Sequence, residues 1–313
     1  MLISVCMIAY NHEAYTREAI EGVLMQQTNF DVELIISNDC STDNTHETIQ
    51  KCIDHYKGHI RIKYFNNVRN LGMMPNFIFA LNQCNGNYIA LCEGDDYWTD
   101  PLKLQKQIDY ISRHKDCNLV FTDVKVWNEI TREFLPNWAN VNREKYEFKE
   151  LVERNVITTC TVLFRNPNRN EEISNYLLKF KVGDYPLYLF LLRPGYAYFL
   201  NEETAVYRQH TGGVFSLNGP ENFINTNIAV LNCLMNEELS KQERVYVKKS
   251  LVKWHYAKVV RFSSDGQFNK IRSYLWTNLK LSDIYYNLGC FLKSGALYLS
   301  PKMKFNSLNN SKD

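Results

Sequence analysis

Tyr88-Ile89-Ala90-Leu91-Cys92-Glu93-Gly94-Asp95-Asp96-Tyr97-Trp98-Thr99-Asp100-Pro101 runs from an apolar segment straight into three carboxylates, Glu93, Asp95 and Asp96. The apolar part has the length of a buried strand. Gly94 lets the backbone turn tightly among the acids. Carboxylates this crowded repel one another unless a positive charge sits among them. A hard divalent cation with oxygen ligands is the natural candidate. Asp100 before Pro101 predicts a helix N-terminus, with Asp as cap and Pro at the first helical position. A cap needs one acceptor, so it leaves the other three acids unexplained.

The same alternation extends on both sides. Leu2 to Ile8, Val32 to Ile36, Ile60 to Phe65 and Asn118 to Trp127 are apolar and strand-length. Helical spacing fills Ala14 to Gln27, the segment through Ile49 and Ile53, Pro75 to Cys84 and Leu102 to His114. Strands alternating with helices predict right-handed crossovers and a mostly parallel sheet. Ligands of such sheets bind at the carboxyl ends of the strands. Tyr10-Asn11, Asn38-Asp39 and the acidic stretch all lie there and should meet in one crevice. Further along, Val156 to Phe164 and Tyr196 to Arg208 read as strands, and Leu187 to Leu192 as an apolar helix. Helices dominate after Glu221, and residues 306–313 form a polar tail expected to be disordered.

Composition narrows the class. The chain has 313 residues with 45% hydrophobic content, enough for a large α/β domain plus an appendage. Its nine cysteines are odd in number and include no C-x-x-C pair, which predicts free thiols in a reducing compartment. No signal peptide and no apolar run of ~18 residues is seen, so a cytoplasmic protein that does not span the membrane is expected. The net charge of +2 hides a split: from Arg244 onward 13 Lys and Arg face 3 Asp, a balance of +10 that leaves −8 for residues 1–243. G-x-G-x-x-G and the Walker A pattern are both absent. Cys52, His55 and His59 have metal-like spacing but no fourth ligand, so a solvated helix face is expected.

Single residues carry two readings each. Tyr10 is packing, or a face for a base or ribose. Asp39 is a turn residue, or an acceptor for a base N–H. Asp184 is a helix cap, or a general base. His210 is a loop histidine, or a neutral imidazole ligand to the metal of the acidic stretch. The paired Gly212-Gly213 mark a loop able to close.

With these residues in hand, the chain resembles the inverting family 2 glycosyltransferases of the GT-A fold. Ser4 to Tyr15, Glu33 to Thr45, Asn85 to Ile111 and Lys181 to Arg208 with His210 carry the likeness, which spans residues 2–216. The resemblance implies a Rossmann-like, mostly parallel sheet flanked by helices. It implies a catalytic domain over 1–220, with a nucleotide-binding half (1–127) and an acceptor half (128–220). Past Glu221 the resemblance is silent, and the helical pattern there predicts a C-terminal helical appendage over 221–305. Ala9, Tyr10 and Asn11 would line the nucleotide pocket, and Asp39 would bond the uracil. Asp95 matches the second acid of the family's D-x-D and would hold Mn2+ or Mg2+ together with His210. Glu93 stands where the first Asp is usual, and so would reach the ribose, or the metal through water. Asn38 and Cys40 depart from the usual Asp-Asp-Gly-Ser. Asp184 matches the catalytic base.

The implied activity is transfer of a sugar, with inversion, from a nucleotide-sugar (a UDP-sugar) to a hydroxyl of a glycan or lipid-linked glycan in cell-surface polysaccharide synthesis. Trp98 and residues 136–160 are expected to touch the acceptor, and nucleic acid is not an expected partner. A nucleotidyltransferase would need a basic, Gly-rich first loop where this chain has Ala-Tyr-Asn-His-Glu. A non-catalytic part of a membrane glycan-assembly complex would not need Asp95, Asp184 and His210. Ile284, Leu288, Phe291, Leu292 and Leu299 recur at helical spacing near Lys293, Lys302 and Lys304. With the basic surplus, they predict peripheral attachment of residues 244–305 to an anionic membrane at its inner face.

Overall fold

A computed structural model describes residues 1–264, apart from 138, 140, 168, 169 and 214–218. The chain divides into two compact units, Met1–Leu217 and Asn218–Asp313.

The first unit opens with β1 (Leu2–Ala9), α1 (Thr16–Leu24), β2 (Asp31–Asn38), α2 (Thr45–His55), β3 (Arg61–Asn66), α3 (Met73–Asn82) and β4 (Tyr88–Leu91). β1 and β4 are nearly all apolar because helices cover both faces of the sheet. β5 (Tyr97–Trp98), α4 (Lys103–Ile111), β6 (Cys117–Asn128), β7 (Glu133–Leu135), β8 (Lys145–Tyr146) and α5 (Phe148–Glu153) follow. β9 (Leu163–Arg165), α6 (Asn170–Leu177), α7 (Asp184–Leu192) and β10 (Tyr196–Gln209) complete it. Among the described residues the strands form one sheet in the order β3-β2-β1-β4-β9-β6-β10-β5, with β7 on β6 and β8 on β10. The pairs β3-β2, β2-β1, β1-β4 and β6-β10 are parallel, while β9 runs antiparallel between β4 and β6. The mostly parallel α/β sheet read from the sequence is therefore present.

Three local expectations need correction. Val156 to Phe164 is not one strand: Thr159–Thr161 is a 3-10 turn and only Leu163–Arg165 pairs. The backbone N–H and the hydroxyl of Thr161 both donate to the carbonyl of Thr158, a local alternative that competes with the ladder. The helix expected over Leu102 to His114 is shorter, Lys103–Ile111, although Asp100 Oδ1 still accepts the Leu102 amide at 2.9 Å. Trp98 is core: it is 1% exposed, its Nε1 donates to the Cys160 carbonyl at 2.7 Å, and the Lys103 ammonium sits 4.6 Å from its ring. It has no face left for an acceptor. Gly22 is required where α1 crosses this strand, since a Cβ there would lie 2.8 Å from Trp98 backbone atoms.

In the second unit α8 (Gly219–Met235) and α9 (Lys241–Ser264) pair. Ile224, Val230, Leu231 and Leu234 of α8 are buried, as are Val247, Leu251, Val259 and Phe262 of α9. Phe223 meets Trp254 edge to face at 5.5 Å. No described helix is long and apolar enough to cross a membrane. The stripe from Ile284 to Leu299, its lysines and the 306–313 tail lie outside the described residues.

Candidate active site

The loops after β1, β2 and β4 are joined by hydrogen bonds at the carboxyl ends of those strands. Gly94 N–H donates to the Ile8 carbonyl at 2.9 Å, which lays the acidic loop against the end of β1. A Cβ on Gly94 would come within 3.0–3.1 Å of Ala9, His12 and the Ile8 carbonyl, so this approach needs glycine. Asn11 and Cys40 both adopt left-handed backbone, with φ of 56° and 57°. These turns fold the loops after β1 and β2 onto each other, with Asn11 N–H donating to Ser41 Oγ and Thr42 N–H to Asn11 Oδ1. Such conformations in residues other than glycine cluster at functional sites.

Asp95 faces two imidazoles. His210 Nε2 lies 3.0 Å from Asp95 Oδ2, and His12 Nε2 lies 3.6 Å from the same oxygen. Gly212 N–H donates to His210 Nδ1 at 3.2 Å, which places the ring proton on Nε2, pointing at Asp95. A lone pair on Nε2 for a cation would require the other tautomer. Burial alone would raise the Asp95 carboxyl, but His12 and His210 outweigh it and hold it below the ordinary carboxylate value. Burial pushes the His12 imidazole down, against an upward pull from Asp95.

The other two acids behave oppositely. Burial, then Asp95, Asp96 and Asp184, raise the Glu93 carboxyl well above its ordinary value. Burial and Asp95 do the same to Asp96. Asp96 is 1% exposed; its Oδ1 accepts Arg208 N–H at 2.9 Å, and its Oδ2 is buried without a hydrogen-bond partner.

On the nucleotide side the expected residues differ in what they can offer. Tyr10 is 45% exposed and has a free face. The Ala9 side chain lies in the core and its carbonyl accepts Asp39 N–H at 2.9 Å, so only its backbone borders the crevice. The Asn11 side chain holds Thr42. The Asp39 carboxylate is already engaged: Oδ1 accepts Leu71 N–H at 2.8 Å and Asn67 Nδ2 at 3.1 Å, and Oδ2 accepts Gly72 N–H at 2.9 Å. It anchors the loop after β3 first, and Oδ2 keeps one acceptor direction for a ligand.

Asp184 opens α7 and its Oδ2 accepts the Thr159 hydroxyl at 3.4 Å. It is the first residue of the helix; the cap position is Gly183, packed on Phe77 and Met74 of α3. Burial raises the Asp184 carboxyl, offset in part by amide and hydroxyl donors. Asp184 also adds to the upward push on the Glu93 carboxyl, after burial, Asp95 and Asp96.

The donor set suits a divalent cation in an open site. Among the described residues no group of three His, Cys, Asp or Glu is arranged to hold a metal ion, so a cation here would need oxygens from a ligand. Asp95 and His210 would hold a cation only with the His210 ring proton moved to Nδ1, and a nucleotide diphosphate would then supply further oxygens. Carboxyls pushed toward their neutral form mark a shortage of positive charge that a cation would relieve. Cys52, His55 and His59 form no such site: Cys52 is buried, both histidines are exposed, and His55 Nδ1 lies 2.6 Å from the Lys51 carbonyl.

Two neighbours of this site were not legible as such. His12 sits in a loop whose residues read as turn formers. Arg208 ends a strand, where its charge reads as solvated, yet it is 4% exposed between Tyr15 and Tyr97. The spacing Arg208-x-His210 was the available signal, since alternate strand residues share a face.

Comparison with known proteins identifies the family and the fold. The glycosyl transferase family 2 model matches residues 4–170. The uncharacterized protein Rv1520 of Mycobacterium tuberculosis is 37% identical over 217 residues, 68% of this chain and 60% of that protein. This chain thus spans about three fifths of the mycobacterial relative's length. The putative teichuronic acid biosynthesis glycosyltransferase TuaG of Bacillus subtilis is 27% identical over 210 residues, 66% of this chain and 79% of TuaG. Among solved structures, S. aureus TarS 1–349 in complex with UDP superposes with a TM-score of 0.63 at 16% identity, covering 96% of this chain and 89% of that one. The mannosyltransferase PcManGT from Pyrobaculum calidifontis, in complex with GDP-Man and Mn2+, gives 0.58 at 11% identity, covering 96% and 88%. Those two structures show the shared GT-A fold, and the family match covers more than half of the sequence: the chain belongs to glycosyl transferase family 2.

Proposed function

We propose that this glycosyltransferase moves a sugar from a UDP-sugar to a hydroxyl of a glycan or lipid-linked glycan, with inversion and with Mn2+ or Mg2+. The observation that carries the reading is the junction of Asp95 with His210, beside Glu93 and Asp184, at the carboxyl ends of the parallel strands. Support for the donor comes from TarS, whose structure holds UDP, and for the acceptor class from TuaG, named for teichuronic acid biosynthesis.

Tyr10 offers its free face to the base, and Asp39 Oδ2 an acceptor for a base N–H. Asp95 and His210 would hold the cation, which when bound supplies Lewis-acid stabilisation of the leaving diphosphate. Asp184 takes the proton of the acceptor hydroxyl as that oxygen attacks the anomeric carbon. Burial raises its carboxyl, which strengthens it as a base. The attack comes from the face opposite the leaving group, so an α-linked donor gives a β-glycoside. Gly212 and Gly213 adjoin His210 and give the segment freedom to close over the donor and exclude water. Residues 1–127 then serve the donor and 128–220 the acceptor. The basic residues of 244–305 would hold the enzyme on an anionic membrane where a lipid-linked acceptor resides.

Incubation with a nucleotide-sugar panel and Mn2+ tests the reading. UDP release with a β-linked product is expected. Pyrophosphate release would instead indicate a nucleotidyltransferase, and no turnover with any donor and acceptor would leave a non-catalytic role.

A further inference from the structure

Arg208 ties the acidic loop to the strand that carries His210, to α1 and to the end of β6. Its Nη1 donates to the Asp95 carbonyl at 2.9 Å, and its backbone N–H donates to Asp96 Oδ1 at 2.9 Å. The Asp95–Asp96 segment is therefore tied at two points to the strand that carries His210 two residues later. Nη2 pairs with Glu18 of α1, and Nε lies 3.3 Å from Glu129 Oε1, just past β6. The guanidinium carbon sits 4.3 Å from the Tyr97 ring centre and 5.3 Å from that of Tyr15. With 4% exposure and all three nitrogens engaged, the side chain presents nothing to a ligand.

We infer that Arg208 is a positioning residue for the cation: it presets the distance between the Asp95 carboxylate and the His210 ring before the cation arrives. The inference rests on the metal-dependent reading of this site. A planar fork makes three divergent contacts at fixed angles, and an ammonium cannot reproduce them. Partners that orient metal ligands typically contribute 10- to 100-fold in metal affinity. Glu129 anchors the fork from the opposite side and should matter in the same direction but less.

The test uses the full chain carrying Arg208→Lys, Arg208→Gln or Glu129→Gln. Mn2+ binding in the presence of UDP is read by the loss of the free-ion electron paramagnetic resonance signal. UDP binding in EDTA is read by calorimetry. The expected result is Mn2+ affinity at least ~10-fold weaker in both Arg208 variants, which the lysine does not rescue, and about threefold weaker in Glu129→Gln. Metal-free UDP affinity should change less than twofold. Equal losses in both readouts would mean a merely structural role and would overturn the inference. So would folded Arg208 variants that bind Mn2+ like the wild type. If the Arg208 variants do not fold, unchanged Mn2+ affinity in Glu129→Gln overturns it and a selective loss sustains it. Wild-type protein that binds no Mn2+ would refute the metal reading itself.

Discussion

Replacing Asp96 with Asn should make the metal-free protein more stable at alkaline pH, an unusual outcome for a buried position beside an active site. Asp96 is 1% exposed and its Oδ2 has no hydrogen-bond partner. Burial, then Asp95, raises its carboxyl well above the ordinary value. The sign follows directly. Between the unfolded carboxyl value and the raised folded one, the folded chain holds one more proton than the unfolded chain. Stability therefore falls as pH rises through that window, by up to about 1.4 kcal/mol per pH unit for one proton. For a unit of this size about 1 kcal/mol moves the melting temperature by about 2–4 °C, so the slope is about 3–6 °C per pH unit. Asn keeps an oxygen for Arg208 N–H and carries no charge to desolvate. His12, whose imidazole burial pushes down, works in the opposite direction, but it is present in both chains and cancels in their difference. Melting curves in EDTA from pH 4.5 to 8 should coincide near the acid end and diverge upward, with the Asn variant above. Parallel curves, or a variant that melts lower throughout, would show that Asp96 is ionised and stabilising in the fold, contrary to this reasoning.

Asp184→Asn should lose about 10²- to 10⁴-fold in turnover while binding UDP and Mn2+ normally; a variant that binds UDP poorly would place Asp184 on the donor side. Asp39→Ala should weaken UDP binding and also lower stability by about 1–3 kcal/mol, because its carboxylate holds the amides of Leu71 and Gly72. Calorimetry and thermal melting separate the two effects, and unchanged UDP affinity would remove Asp39 from the nucleotide pocket. Full-length protein should co-sediment with anionic but not zwitterionic vesicles, lose that binding at high salt, and lose it when Lys293, Lys302 and Lys304 are changed to Glu. Equal binding to both lipids, or none to either, would contradict the membrane proposal.

The halves of the fold differed in legibility for physical reasons. β1, β2 and β4 are buried along most of their length, so their sequences are short and largely apolar, as strands covered on both faces are. Asn11, Asp39 and Asp95 each follow the carboxyl end of a parallel strand, because parallel topology puts those ends on one side. β9 was lost inside Val156 to Phe164 because threonines satisfied the backbone locally. Trp98 was misread because a large aromatic beside an acidic turn resembles a binding face, whereas its indole N–H had a buried carbonyl to find. Arg208 and His12 were invisible for the converse reason: a charged or polar residue at a strand end is ordinarily solvated, and only the tertiary partners Glu18, Glu129 and Asp95 reveal otherwise.

Metal dependence through Asp95 is the central claim, and one comparison tests it most directly. UDP release from the accepted donor is measured for wild type and Asp95→Asn, each with Mn2+, after EDTA, and after Mn2+ is restored. The account predicts wild-type turnover that EDTA abolishes and Mn2+ restores, and an Asn variant that stays folded yet inactive at every Mn2+ concentration. Near wild-type turnover by the Asn variant, or wild-type turnover that persists in EDTA, would contradict it.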